Sequence, residues 1–179
     1  MKARIRGCCA ATFVVAITAG VIPGWGGLAW AQTATVELRN DQGGVVGHAR
    51  FSPEPGGVRL QVEVSGLTPG LHGFHIHAVG RCEPPGFTTA GGHFNPDGKQ
   101  HGHENPAGPH AGDLPNLQVG PDGTGRADLV TSDVTLGPGT HSLFQPAGTS
   151  LVIHADPDDE HTDPAGNSGA RVACGVISP

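Results

Sequence analysis

The chain has 179 residues, ten Lys and Arg against sixteen Asp and Glu, and 36% hydrophobic residues, a size and balance that suit one globular domain. All sixteen acids but only seven of the basic residues follow position 31, so residues 32–179 carry a formal charge of −9 with histidine neutral. That surplus leaves no basic stripe to neutralise phosphates and excludes nucleic acid as a partner.

The first 31 residues read as a targeting segment. Lys2, Arg4 and Arg6 form a positive head, an apolar stretch follows from Cys8 to Leu28, and Ala29-Trp30-Ala31 has the small-x-small pattern of a signal-peptidase site. Cleavage after Ala31 is expected, which makes 1–31 the signal peptide and 32–179 the working domain. Pro23, Gly24, Gly26 and Gly27 interrupt the apolar run and argue against a retained membrane span. A periplasmic or secreted location follows. Of four cysteines, Cys82 and Cys174 remain after cleavage, and an even pair in an exported protein reads as a disulfide.

Beyond position 31 the chain alternates short apolar runs with Gly- and Pro-rich punctuation. The runs 35–38, 45–51, 58–64, 74–77, 127–130, 150–154 and 172–177 have period two and many β-branched residues, which are strand signals. Asp41-Gln42-Gly43-Gly44 is a hairpin turn candidate. No stretch carries a sustained helical stripe. The expectation is an all-β sandwich or barrel of about eight strands. Two irregular stretches stand apart, 79–117 and 155–170; loops of such length usually carry function.

The first long stretch holds His93, His101, His110 and Asp113. Three nitrogens and one oxygen make a tetrahedral set suited to zinc. His75 and His77 are two apart on an expected strand, so they project from one face, and His154 ends another apolar run. Those three give a second nitrogen set with room for a fourth ligand. Imidazole has two nitrogens, and His93 lies between the groups in sequence, so it is the candidate to serve both.

Several motifs in order then resemble one family. They are the segments Gly70-Leu71-His72-Gly73-Phe74-His75-Ile76-His77, Gly91-Gly92-His93-Phe94-Asn95-Pro96, His101-Gly102, Pro109-His110-Ala111-Gly112-Asp113-Leu114-Pro115-Asn116, Leu151-Val152-Ile153-His154 and the stretch from Gly166 to Val176. Together they resemble copper/zinc superoxide dismutase of the exported bacterial type, over nearly all of 32–179. The resemblance implies an eight-stranded antiparallel Greek-key barrel with two long functional loops. It implies copper on His75, His77, His93 and His154, zinc on His93, His101, His110 and Asp113, and the Cys82–Cys174 disulfide. His93 would bridge the metals and take up a proton during the cycle. Asp158 matches a carboxylate that links the two ligand shells by hydrogen bonds. Arg171 matches the arginine beside copper, which attracts and orients the substrate, the superoxide anion. His72 matches a framework histidine; His48, His103, His141 and His161 have no assigned role.

One departure concerns charge. The stretch 155–170 contains Asp156, Asp158, Asp159, Glu160 and Asp163 and no Lys or Arg, so attraction of an anion is expected to rest on Arg171 and copper alone. The rival function is a non-catalytic copper-binding or buffering protein of the cell envelope, which needs neither a shared ligand nor Arg171. A blue-copper electron carrier is disfavoured, because residues 32–179 contain no Met and both cysteines are paired in this reading. Oligomeric state is left open, a homodimer included.

Overall fold

The computed structural model describes residues 32–179. The expected signal peptide, 1–31, lies outside the described residues. Among those described, no helix is long and apolar enough to cross a membrane.

Residues 32–179 form one antiparallel sheet of nine strands curled into a nearly closed barrel. These are β1 (Ala34–Arg39), β2 (Val45–Glu54), β3 (Gly57–Val64), β4 (Gly70–His72), β5 (Phe74–His77), β6 (Leu117–Val119), β7 (Gly125–Thr131), β8 (Ser150–His154) and β9 (Arg171–Val176). All seven apolar runs read from sequence form strands, and the expected 41–44 turn joins β1 to β2. The spatial order is β4-β6-β7-β3-β2-β1-β9-β8-β5. Strands β1, β2 and β3 form a meander, while the pairings of β3 with β7 and of β1 with β9 are the Greek-key crossings.

Nine strands appear instead of eight because the run 70–77 changes partners at Gly73. Residues before it pair with β6, and residues after it pair with β8. Gly73 hands its carbonyl to the His154 N–H at 2.8 Å and donates its own N–H to the Asp156 carbonyl at 2.9 Å. A Cβ at this position would lie 2.8 Å from the Ser168 Cβ, 3.2 Å from the His75 Cε1 and 3.3 Å from the Asp158 Cβ. Only glycine lets the barrel wall and the 155–170 loop approach this closely.

Strand alternation divides β5 into two jobs. Phe74 and Ile76 are fully buried and belong to the core with Phe51, Leu60, Leu114, Leu117, Leu143, Leu151 and Ile153. His75 and His77 point the other way, yet they are equally buried, under the long loops. Strand β5 ends the sheet order, so its outer edge needs a partner. The 79–116 loop supplies it. Phe94 donates to the Ile76 carbonyl, Ile76 to the Gly112 carbonyl and Gly112 to the Phe94 carbonyl, each at 2.8 Å. Isolated bridges thereby set His77 opposite His93 and His75 opposite Asp113.

The expected disulfide joins Cys82 to Cys174 across 92 positions. It pins the start of the loop to β9, and a small apolar cluster of Phe87, Ala90, Val152 and the two cysteines surrounds it. Closing a loop of 92 residues stabilises by about 4–5 kcal/mol in the chain-entropy view. Replacing both cysteines by serine is expected to reduce unfolding free energy by up to that amount in denaturant titrations. A change under roughly 1 kcal/mol would show that the crosslink hardly constrains the unfolded chain.

Candidate metal centre

Seven buried side chains converge where β5, β8 and the two long loops meet. His75, His77, His93 and His154 form one group, and His93, His101, His110 and Asp113 form another, with the candidate ligand atoms of each group within 4.8 Å of one another. His93 belongs to both, and its ring centre lies 4.1 Å from that of His75 and 5.1 Å from that of His101.

Hydrogen bonding selects one nitrogen in five of the six rings. His75 donates from Nε2 to Asp158 Oδ2 at 2.6 Å, which turns its Nδ1 inward. His77 donates from Nδ1 to the Gly91 carbonyl at 2.9 Å, and His154 from Nδ1 to the Gly169 carbonyl at 3.3 Å, so each presents Nε2. His93 donates from Nδ1 to Asp113 Oδ1 at 2.8 Å and presents Nε2 to the first group. His101 donates from Nε2 to Asp158 Oδ1 at 2.9 Å, and its Nδ1 stands 3.0 Å from Asp113 Oδ1. The inward atoms His75 Nδ1, His77 Nε2, His93 Nε2, His101 Nδ1 and His154 Nε2 are all buried without a hydrogen-bond partner. Orphaned buried polar atoms are costly, and five converging here fit cation coordination.

Asp158 is the link between the groups. It is buried, and each of its carboxylate oxygens holds the outer nitrogen of one ring. Sequence reasoning missed what holds Asp158. The Asn116 side chain accepts its N–H at 2.7 Å and donates to its carbonyl at 2.9 Å, and the Glu160 N–H donates to Oδ1 at 2.6 Å. Asn116 closes the Pro109–Asn116 motif, but nothing in its own residue type marks this role. Gly166, in a left-handed conformation at φ 60°, packs so close that a Cβ would collide with the Asp158 carboxylate.

Arg171, at the start of β9, donates from one guanidinium nitrogen to the Phe87 carbonyl at 2.8 Å and from another to the Gly91 carbonyl at 2.7 Å. Both carbonyls belong to the loop that the disulfide anchors. Arg171, His77, His93 and His154 line a cavity of 360 Å³, the approach to the first group. Lys99, which sequence reasoning also passed over, lines that same cavity from the 79–116 loop. The remaining histidines lie elsewhere. His72 bridges the Thr68 and His154 carbonyls as a framework residue, His103 pairs with Glu160, His161 with Glu104 and His141 with Asp97. His48 is exposed on β2.

The comparisons with known proteins agree with this geometry. The family model described as copper/zinc superoxide dismutase matches residues 45–177. The chain belongs to the copper/zinc superoxide dismutase family. It is 49% identical over 146 residues to "Superoxide dismutase [Cu-Zn] 2" of Aquifex aeolicus, covering 80% of this chain and 85% of that one. It is similar to the solved Cu/Zn superoxide dismutase from Brucella abortus, with TM-score 0.67 and 34% identity over 82% of this chain and 100% of that one. A SOD-like protein from Bacillus subtilis matches with TM-score 0.78 and 40% identity, over 80% and 97% of the two chains.

The family's two-metal chemistry requires neutral rings, and burial favours them. Burial pushes His77 well below the ordinary histidine value, His93 down to about 4 and His154 down to about 3. For Asp113 burial acts upward, but the adjacent His101, His110 and His93 rings and the Gly102 N–H hold it well below the carboxylate range. Asp158 is held low in the same way by His101, His75 and the Glu160 N–H. His101 is the exception. Burial lowers it, but Asp113 and Asp158 together raise it to about 10, so a cation at its Nδ1 must displace a proton.

These shifts set the acid stability of the metal-free chain. His77, His93 and His154 have folded values below the unfolded ~6.5, so each contributes stability above that pH and loses it as pH falls towards the folded value. Asp113 and Asp158 have lowered values too, and their contribution disappears below pH ~4. The raised His101 contribution is fully present below pH ~6.5 and fades only towards 10, so it does not offset the loss on acidification. His93 alone, moved from ~6.5 to about 4, accounts for on the order of 3 kcal/mol. The thermal midpoint of the metal-free protein is therefore expected to fall steadily from pH 6.5 to pH 3; a flat or rising midpoint across that range would contradict the assignment.

Proposed function

We propose that this protein is a superoxide dismutase in which His75, His77, His93 and His154 hold copper, and His93, His101, His110 and Asp113 hold zinc. The observation that carries the reading is His93, whose Nε2 faces one ligand group and whose Nδ1 faces the other. Nitrogen-rich ligands suit copper, and a set with one carboxylate suits zinc. Bound copper supplies the one-electron chemistry by which two superoxide anions and two protons become dioxygen and hydrogen peroxide, with zinc redox-inert beside it.

The chain's own residues do the rest. Arg171 uses two of its N–H groups on carbonyls, which fixes the guanidinium plane and leaves other donors to attract and orient an anion in the cavity. His93 lines the cavity, and its Nε2 can hold a proton for the reduced oxygen species. The opposite nitrogen, Nδ1, faces the group that would hold zinc, so the ring would stay fixed on that side while Nε2 exchanges a proton. Asp158 fixes the tautomers of His75 and His101 together. A non-catalytic copper carrier would need neither a two-sided histidine nor an oriented Arg171.

Metal analysis and superoxide decay measured on copper- and zinc-reconstituted protein test this reading. The loaded protein is expected to accelerate decay, and Asp158→Asn to cost about 10–100-fold in metal affinity or activity. Copper uptake without any dismutation would favour the carrier.

We also infer that residues 1–31 are a signal peptide and that residues 32–179 act in the periplasm or after secretion. The Lys2-Arg4-Arg6 head, the apolar stretch and the long-range disulfide support export. Denatured mass spectrometry of protein from exporting cells is expected to give a chain starting at Gln32, and native mass distinguishes a monomer from a homodimer. A chain from those cells that keeps Met1 would overturn the cleavage.

A further inference from the structure

Residues 32–179 contain seven basic side chains and a charge of −9, so a small anion needs a local positive field to reach the cavity. Four of the seven are spent on ion pairs: Arg39 with Glu37, Arg59 with Asp128, Arg81 with Glu83 and Arg126 with Glu63. Arg50, Lys99 and Arg171 remain without an acidic partner among the described residues. Two of these three, Lys99 and Arg171, line the same cavity, whereas Arg50 lies on the outer face of β2. Lys99 is the single lysine of residues 32–179.

Its backbone is held by Asn95. The Asn95 side chain accepts the Lys99 N–H at 3.0 Å and donates to the Lys99 carbonyl at 2.8 Å. The 155–170 loop, which contributes Asp163 to the cavity, is acidic in composition, but four of its five carboxylates accept hydrogen bonds within the fold. Asp158 holds His75 and His101, Asp159 caps the His161 and Thr162 N–H groups, and Glu160 pairs with His103. Asp163, the acid that lines the cavity, accepts the His101 N–H at 2.7 Å.

We propose that Lys99 is a substrate-recruiting residue: lining the same cavity as Arg171, it adds a second positive charge that draws superoxide in. This rests on the dismutase reading and adds to it a second cationic residue, from the loop before His101. The effect is one of position and not of net charge.

The test compares reconstituted wild type with Lys99→Gln, Lys99→Arg, Lys99→Glu and Arg50→Gln, all checked for equal copper and zinc content. Superoxide decay is followed by stopped flow from about 0.01 M to about 0.2 M salt, where the screening length shortens from roughly 30 Å to about 8 Å. Lys99→Gln is expected to lower the second-order rate roughly two- to fivefold at low salt, the effect of one charge acting over about 4–10 Å in water, and the gap is expected to close as salt rises. Lys99→Glu doubles the loss on a logarithmic scale and Lys99→Arg restores most of the rate. Azide titration of the copper absorption supplies a second readout, with weaker binding in Lys99→Gln and recovery in Lys99→Arg. Equal rates, salt slopes and azide affinities in wild type and Lys99→Gln would overturn the inference while leaving the dismutase reading intact. So would an equal loss in Arg50→Gln, which would make net charge the cause. A metal-loaded wild type without dismutase activity would overturn both.

Discussion

His75, His77, His101 and His154 are each oriented by what the outer nitrogen holds. A buried imidazole can present either nitrogen, and burial alone does not choose. Here the choice is made by Asp158 for His75 and His101 and by the Gly91 and Gly169 carbonyls for His77 and His154, while His93 turns one nitrogen to each group. The inward nitrogens then have no protein partner, and the cost of burying them unpaired is offset when cations occupy the two groups. Stability, metal affinity and ring neutrality therefore depend on one outer layer of hydrogen bonds. Asp158 is its centre because it is the one group that touches rings of both sets.

The barrel makes that layer rigid. Gly73 lets the strand carrying His75 and His77 lie against the 155–170 loop, so Asp158 reaches a ring on the barrel wall. The open edge of β5 is covered by the other loop through three backbone hydrogen bonds, which carry His93 and Asp113 to His77 and His75. The disulfide holds the start of that loop near β9, and the loop's carbonyls orient Arg171. Structural features that lie outside the ligand groups thus determine where the cation beside the cavity points.

Acidic character and anion chemistry coexist because the two acids at the centre, Asp113 and Asp158, are buried against the histidine rings. Asp113, Asp158 and Asp159 accept hydrogen bonds from rings, side chains or backbone N–H groups, while Lys99 and Arg171 line the cavity unpaired. Net charge describes the molecule at long range; within a screening length of about 8–10 Å the nearest unpaired groups dominate.

Much of this was legible in the sequence. Period-two apolar runs located seven strands, because alternation directly reports which residues face a core. The motif order carried both ligand groups, the disulfide and the shared position of His93, because those residue types have few other reasons to recur together. The sequence left out β4 and β6, which are three residues long and too short to show a period. It also left out Asn116, whose role is a contact made across 42 positions, and Lys99, which looked like an ordinary loop residue. The residue types fixed which atoms could ligate. Only the tertiary structure decided which nitrogen of each ring turns inward, which acids are engaged inside the fold and which cations line the cavity, because those outcomes depend on distances between loops that are remote along the chain.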